Sequence, residues 1–216
     1  DPDWPMTFGF DDMDVLAHVI DDIYKIGEAQ GLPVDAVMQE SGPGQFEINL
    51  KHRADPVAAA LDGLLLKRAV KAAAIANGVE ATFMAKPHHD WTGSGLHVHV
   101  SLIDKNGNNV FVGDPNAKEP CEPLAPAFKH ALGGLLKTMP DFMPIWAQYA
   151  NSYRRYVPKS YVSMAPHWGF NNRTVALRVP GGNIKATRVE HRISGADANP
   201  YLVVAAILAG IHHGLV

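Results

Sequence analysis

The chain has 216 residues, 47% of them hydrophobic and 19% charged, and its net charge is −3. This balance is typical of a globular protein and excludes a disordered tail, a coiled coil and a collagen-like fibre. The slight negative charge gives no electrostatic drive for nucleic-acid binding, so no nucleic-acid partner is predicted. A single cysteine, Cys121, excludes an internal disulfide framework and fits a reducing compartment. The expected location is the cytoplasm. No apolar run reaches the roughly 18–20 residues of a membrane span, so no membrane partner is predicted.

The predicted elements alternate irregularly between helix and strand. In chain order they are a helix over residues 11–30, a strand over 45–50, a helix that Asp55 caps and Asn77-Gly78 ends, strands over 81–86 and 96–103, a hairpin turn at Asn106-Gly107, a helix over 126–139, an irregular stretch over 152–166, strands over 174–179 and 188–193, and a helix from Pro200 to the last residue. This order has no βαβ repeat and no long linker. It therefore favours an α+β fold with a mixed or antiparallel sheet, in one domain over residues 1–216.

Three predicted strands each have a polar face, because alternate residues of a strand point the same way. These faces carry Glu47 on the first strand, His97, His99 and Ser101 on the second, and Arg188, Glu190 and Arg192 on the third. If the strands are neighbours, the faces form one concave surface. Carboxylates and imidazoles suit Mg²⁺ or Mn²⁺, and arginines suit phosphate and carboxylate groups. Such a surface could neutralise charge during phosphoryl transfer.

Plainer interpretations stay open at this point. A His-x-His strand is also typical of an exposed sheet face or of a zinc pair. With Glu47 or Glu190 as a third ligand, the two histidines would suit a zinc hydrolase. The arginines and the glutamate of the third strand could form a surface ion-pair ladder, and Glu40 could be a solvated loop acid.

Six sequence blocks stand in order along nearly the whole chain. They are residues 40–47 (ESGPGQFE), 84–87 (MAKP), 93–102 (GSGLHVHVSL), 151–155 (NSYRR), 172–180 (NRTVALRVP) and 188–202, which opens with RVEHR and closes with NPYL. On these blocks the chain resembles the catalytic domain of the glutamine synthetase family, whose curved mixed or antiparallel sheet is flanked by helices.

The resemblance implies an ATP-dependent ligase that joins the γ-carboxyl of glutamate to ammonia or an amine through a γ-glutamyl phosphate. It implies two or three Mg²⁺ or Mn²⁺ ions in a complete site, ATP as co-substrate and a homo-oligomeric ring, a dodecamer. The implied roles are metal ligands at Glu40, Glu47, His97 and Glu190, nucleotide contacts at His99, Ser101, Arg178 and Arg188, glutamate contacts at Gly93, Arg155 and Arg192, and catalytic groups at Arg173, Arg178 and Glu190.

The chain departs from the family pattern in two ways. Ammonia-using members carry a glutamate after the NSYRR-like block, whereas residues 156–166 contain no acid. This favours the branch that makes γ-glutamyl-polyamines or γ-glutamyl-alkylamines, with Tyr161 or Trp168 bounding the alkylamine pocket. The family's N-terminal β-domain is absent and its C-terminal helices are incomplete, so the chain alone is predicted to be inactive or nearly so. The alternatives are a glutamine synthetase that uses ammonia and, from another class, a non-catalytic glutamine-synthetase-like binding protein.

Overall fold

The computed structural model describes residues 9–118, 120, 124–158 and 160–216, so Cys121 and Lys159 lie outside the described residues. The chain divides into two compact units. The first comprises Asp1–Gly93 with Asn199–Tyr201, and the second comprises Ser94–Ala198 with Leu202–Val216. The assignment of residues 1–216 to a single domain stays a prediction.

The first unit contains three helices and a two-stranded antiparallel sheet among its described residues. They are α1 (Asp11–Val15), α2 (Ala17–Ala29), β1 (Val34–Gln39), β2 (Phe46–Leu50) and α3 (Pro56–Ala76). The predicted helix over residues 11–30 is confirmed but breaks at Leu16. The helix predicted after Asp55 is also confirmed, as α3. Asp55 caps it as predicted, since its carboxylate accepts hydrogen bonds from the backbone N–H groups of Val57 and Ala58 at 2.8 and 3.1 Å.

Two predictions about strands in this unit need correction. Residues 81–86 form no strand, since their backbone runs through a loop without ladder partners. Conversely, β1 was not predicted, although it pairs with β2 and places Val37 opposite Ile48. Both errors arise because a strand is defined by its partner, which the local pattern does not contain.

The second unit is built on a four-stranded mixed sheet, as the α+β prediction requires. Its strands are β3 (Val98–Val100), β4 (Trp168–Phe170), β5 (Leu177–Val179) and β6 (Val189–His191), in the order β3-β6-β5-β4. β6 is antiparallel to β3 and to β5, whereas β4 and β5 are parallel. The helices of the second half of the chain are α4 (Pro126–Thr138), α5 (Met143–Trp146) and α6 (Pro200–Leu215).

Each strand has only three residues. β3, β5 and β6 are shorter than predicted because the flanking residues make other contacts, and β4 was not predicted. Leu96 donates its backbone N–H to Ser194, and Ile103 pairs with Asn109 in an isolated bridge. The predicted turn at Asn106-Gly107 is confirmed, with Gly107 at φ 85°. A core of aromatic and aliphatic side chains, including Phe111, Phe128, Leu135, Leu177, Val189 and Ile207, packs against one face of the sheet.

Glycines bring α4 and α6 into backbone contact. A Cβ atom on Gly134 would lie 2.2 Å from the Gly210 carbonyl oxygen, and one on Gly214 would lie 2.0 Å from the His130 carbonyl oxygen. Two adjacent glycines, Gly133 and Gly134, lower the helix propensity of α4. At Gly134 the close crossing with α6 explains why a residue without a side chain is needed. No helix in the described part of the chain is long and apolar enough to cross a membrane.

The glycine pair supplies a matched test of the crossing. We expect Gly134→Ala to lower the free energy of unfolding by at least about 1–3 kcal/mol, since two backbones would have to separate. Gly133→Ala is the control, because no described atom beyond its chain neighbours and the backbone of its own helix lies within 4 Å of its Cβ position. This substitution is expected to stabilise α4 by about 0.5–1 kcal/mol. Urea denaturation of both variants decides the matter, and equal effects would contradict the crossing.

Candidate functional site

The sheet of the second unit carries a polar row on one face. Its register places His99 opposite Glu190, Glu190 opposite Arg178, and Arg178 opposite Gly169. Directly opposed residues of neighbouring strands share a face. The polar faces that the sequence predicted for β3 and β6 are therefore confirmed as one face of the sheet. The structure adds Arg178 of β5 to this face.

Glu190 is the hub of this face. Its side chain is only 4% exposed, and its Oε2 accepts a 2.8 Å hydrogen bond from Arg178 Nη1. Its Oε1 accepts a hydrogen bond from Arg192 Nη1 and lies 3.4 Å from His97 Nδ1 and 4.0 Å from His99 Nε2. A surface ion-pair ladder would leave these groups in solvent, so this burial rules out the ladder interpretation.

Burial and charge act in opposite directions on the Glu190 carboxyl. Burial alone would raise its pKa, but Arg192, with smaller contributions from the two histidines and Arg178, holds the pKa below its ordinary value. Glu190 is thus a carboxylate at neutral pH. Two guanidinium groups contact this one carboxylate, so the cluster has more positive than negative charge.

His97, which directly precedes β3, and His99, which lies on β3, are both neutral at physiological pH. Burial, with help from the nearby Arg192, lowers the pKa of His97 to about 3, and burial lowers the pKa of His99 to about 4. Arg188 Nε donates a 3.0 Å hydrogen bond to His99 Nδ1. The proton of the neutral His99 ring must therefore reside on Nε2, the nitrogen that faces Glu190.

Arg155 lies beneath the same region, 2% exposed, and donates from Nη1 to the Ile193 carbonyl at 2.9 Å. Its Nε is buried and has no hydrogen-bond partner among the described residues. Gly95 makes room for the guanidinium, since a Cβ atom there would lie 2.8 Å from Arg155 Nη2 and 3.0 Å from His97 Nε2. In the sequence Gly95 stood out only as part of the block of residues 93–102, and the structure shows that the absence of a side chain there makes room for Arg155.

Of the other predicted site residues, Ser101 and Arg173 belong to the second unit, whereas Glu40, Glu47 and Gly93 belong to the first. Ser101 is exposed just after β3, and Arg173 is exposed in the loop between β4 and β5. Glu47 lies on β2 opposite Met38, and Glu40 donates its backbone N–H to the Gln45 carbonyl at 2.8 Å. Gly93 accepts a 3.2 Å hydrogen bond from Gln45 Nε2. Within the described residues, no three His, Cys, Asp or Glu side chains form a metal-binding group; the assigned roles of all these residues stay predictions.

His191 lies on the opposite, apolar face of the sheet. This residue was not singled out from the sequence. It lies between Val98 and Leu177 in the register and 4.5 Å from the Trp146 ring. Neither ring nitrogen has a hydrogen-bond partner among the described residues. The alternation that sorted residues 188–193 could have found it, since Val189, His191 and Ile193 share one face.

This buried imidazole predicts acid-sensitive stability. Burial lowers the pKa of His191 to about 3 from an ordinary 6.5, so on acidification the unfolded chain takes up the proton long before the folded chain does. Stability should therefore fall as the pH drops below about 6.5, by at most about 1.4 kcal/mol per pH unit for this one group. Urea denaturation at pH 7 and pH 5 measures the fall. His191→Phe should reduce it, and an unchanged pH dependence would contradict the assignment.

The comparisons with known proteins agree with this architecture. Residues 3–216 match the family model described as glutamine synthetase, catalytic domain. The chain is 45% identical over 209 residues to the gamma-glutamylputrescine synthetase PuuA of Escherichia coli, covering 97% of this chain and 43% of that protein. It is 38% identical over 195 residues to the glutamate–isopropylamine ligase of a Pseudomonas species, covering 90% and 41%. A solved structure titled GmaS/ADP complex superposes with a TM-score of 0.81 at 30% identity, covering 99% of this chain and 50% of that one.

These matches complete the assignment of the fold. The second unit is an α+β structure whose mixed sheet presents a basic, imidazole-bearing face around one buried carboxylate. The chain belongs to the glutamine synthetase family, through its catalytic domain, which confirms the resemblance seen in the six sequence blocks. It spans under half the length of the curated relatives it matches.

Proposed function

We propose that the intact protein carrying this chain is an ATP-dependent ligase that joins the γ-carboxyl of glutamate to an amine. The observation that carries the proposal is the Glu190 cluster, in which one buried carboxylate meets two guanidinium groups and two neutral imidazoles. Its surplus of positive charge suits anionic substrates, since arginine pairs well with phosphate and carboxylate oxygens.

The arginines divide into two proposed tasks. Arg173, Arg178 and Arg188 would contact the phosphates of ATP, with His99 and Ser101 beside them. Arg155 and Arg192 would hold the carboxylates of glutamate, with the Gly93 backbone. Arg155 suits this task because burial lowers the pKa of its guanidinium, and a bound carboxylate would offset that cost.

The reaction would proceed in two steps. A γ-carboxylate oxygen of glutamate attacks the γ-phosphorus of ATP, and the bond to ADP breaks, giving the acyl phosphate γ-glutamyl phosphate. The amine nitrogen then attacks the acyl carbon, the C–O bond to phosphate breaks, and the nitrogen loses a proton. Arg173 and Arg178 would stabilise the charge of the transferring group, and the carboxylate of Glu190 would orient Arg178 through its hydrogen bond. The site must also exclude water from the acyl phosphate.

The ligand types of the cluster fit a divalent cation. His97 is neutral, so its ring can offer a lone pair, and Glu190 is ionised 3.4 Å away. We propose that His97 and Glu190 hold one Mg²⁺ or Mn²⁺ and that Glu40 and Glu47 hold another, two or three ions completing the site. When bound, the ions would supply neutralisation of phosphate charge.

The acceptor is proposed to be a polyamine or an alkylamine. Residues 156–166 carry no acid, and their exposed side chains include Tyr161 at 64% and Met164 at 62%. Trp168 packs edge-on against Phe170 at 5.4 Å on β4. Apolar and aromatic groups suit the alkyl chain and the ammonium group of such an amine better than they suit ammonium itself. The names of the two curated relatives, a putrescine and an isopropylamine enzyme, support the same choice.

We further propose that the intact protein is a cytoplasmic homo-oligomeric ring, a dodecamer, and that this 216-residue chain alone is inactive or nearly so. The chain covers only 43% of the putrescine enzyme, so most of that enzyme's length has no counterpart in it. Normal turnover by the purified chain would contradict the second proposal.

The deciding experiment is a phosphate-release assay on the intact protein with glutamate, ATP and Mg²⁺. The acceptors to compare are ammonia, methylamine, ethanolamine, putrescine and spermidine. We expect release that depends on both ATP and the amine, with a polyamine or alkylamine preferred. A strong preference for ammonia would contradict the proposed amine acceptor and favour the alternative, a glutamine synthetase that uses ammonia. ATP binding without release for any acceptor would favour the non-catalytic binding protein.

A further inference from the structure

Asn171 has an unusual backbone conformation next to the polar row. Its φ of 45° makes it the one non-glycine residue with a positive φ in the described part of the chain. Asparagine tolerates this left-handed region better than most residues, but the conformation still has a cost and calls for a physical reason. Its backbone N–H donates to the Val179 carbonyl at 2.8 Å, which fixes Asn171 directly after β4 and beside the end of β5.

The side chain supplies the reason. Asn171 Oδ1 accepts a 2.7 Å hydrogen bond from Arg178 Nη2, while Arg178 Nη1 donates to Glu190 at 2.8 Å. The guanidinium is therefore held at both ends of its fork. Its Nε is buried and has no partner among the described residues, so the two Nη groups alone fix its orientation.

The neighbouring asparagine has a different task. Asn172 Oδ1 accepts hydrogen bonds from the Thr174 backbone N–H at 2.9 Å and from Thr174 Oγ1 at 2.7 Å. This contact closes the loop on itself. Of the two asparagines, the described contacts therefore connect Asn171, and not Asn172, to the Glu190 cluster.

An amide suits the contact with Arg178 better than a carboxylate would. An aspartate at this position would accept the same hydrogen bond but would also neutralise the guanidinium. Asn171 accepts one N–H without adding negative charge, so the arginine stays fixed and keeps its attraction for an anion.

We propose that Asn171 is a positioning residue that orients the Arg178 guanidinium toward the phosphates of ATP. The role in turnover rests on the proposed ligase function, whereas the orientation of the guanidinium does not. Asn171 touches Arg178 and is not itself a catalytic residue.

The orientation is tested first by ¹⁵N NMR of the Arg178 side chain in the full 216-residue chain. In the unaltered chain we expect two distinct Nη resonances, because rotation about Cζ–Nε is restricted. Asn171→Gly keeps the positive φ without strain but removes the acceptor, so the two resonances should merge. Asn171→Asp should keep them apart. Thr174→Ala is the matched control, because it removes a hydrogen bond from the same loop and leaves Arg178 untouched. Unchanged Arg178 resonances in Asn171→Gly would overturn the proposal.

Kinetics of the intact protein test the consequence. Asn171→Gly should lower kcat/KM for ATP about tenfold while the KM for glutamate stays unchanged. The same substitution should cost nothing further in an Arg178→Lys background, because lysine cannot present a fork. Full additivity of the two substitutions would overturn the positioning role. If the NMR result holds but the unaltered protein releases no phosphate, the orientation of Arg178 stands and the ligase function fails.

Discussion

Glu190→Gln is expected to lower the free energy of unfolding by about 3–5 kcal/mol and to abolish the proposed ligase turnover in the intact protein. The glutamine has nearly the same shape, but it leaves the guanidinium groups of Arg178 and Arg192 without a counter-charge. Both are largely buried, their side chains being 14% and 5% exposed. Most of the loss is thus the cost of burying positive charge that nothing neutralises.

Two measurements check this expectation. Urea denaturation gives the stability loss, with Lys25→Ala as the control because the Lys25–Asp22 ion pair lies at the surface. Removing an exposed pair should cost only about 0–1 kcal/mol. Titration with Mn²⁺ then tests the metal role, for which Glu190→Ala should weaken binding about 10–100-fold. A Glu190→Gln loss no larger than that of Lys25→Ala would contradict the buried hub.

Gly95→Ala is expected to lower kcat/KM for glutamate about 100-fold in the intact protein. The added methyl group would lie 2.8 Å from Arg155 Nη2 and 3.0 Å from His97 Nε2, so both side chains must move. Arg155 is the proposed clamp on glutamate, and we therefore expect the KM for glutamate to rise more than the KM for ATP.

The control for this substitution is again Gly133→Ala, which adds a methyl group that meets no described atom within 4 Å beyond its chain neighbours and the backbone of its own helix. Steady-state kinetics with glutamate and with ATP varied in turn would separate the two effects. Wild-type kinetics for glutamate in Gly95→Ala would show that Arg155 either does not move or does not contact this substrate.

The features that the sequence predicted best are those with local causes. Asp55 and Pro56 mark the start of α3 because a cap acts within one turn of its helix. Alternation placed Glu190 and His99 each on the polar face of its own strand, because the pleat of a strand has a fixed period. The burial of Glu190 and its contact with Arg178 depend on which strand lies next to β6, and no local pattern contains that information.

The errors and omissions of the sequence prediction arise because contacts between distant segments leave no mark on the local pattern. Residues 81–86 have the composition of a strand but lack a partner, and β1 has a partner but a weak pattern. Arg155 was assigned through the family resemblance alone, since nothing in the surrounding residues predicts that it is buried against Ile193. The family blocks therefore contributed what periodicity could not, namely which distant side chains belong together.

Two guanidinium groups around one carboxylate also bear on how the protein responds to small anions in its buffer. An empty site of this kind attracts any small oxyanion, including the inorganic phosphate that the proposed reaction releases. We therefore expect phosphate and sulfate buffers to raise the melting temperature and to inhibit in competition with ATP. Added sodium chloride should weaken both effects, because mobile ions screen the attraction. The choice of buffer would thus alter the apparent affinity for nucleotide.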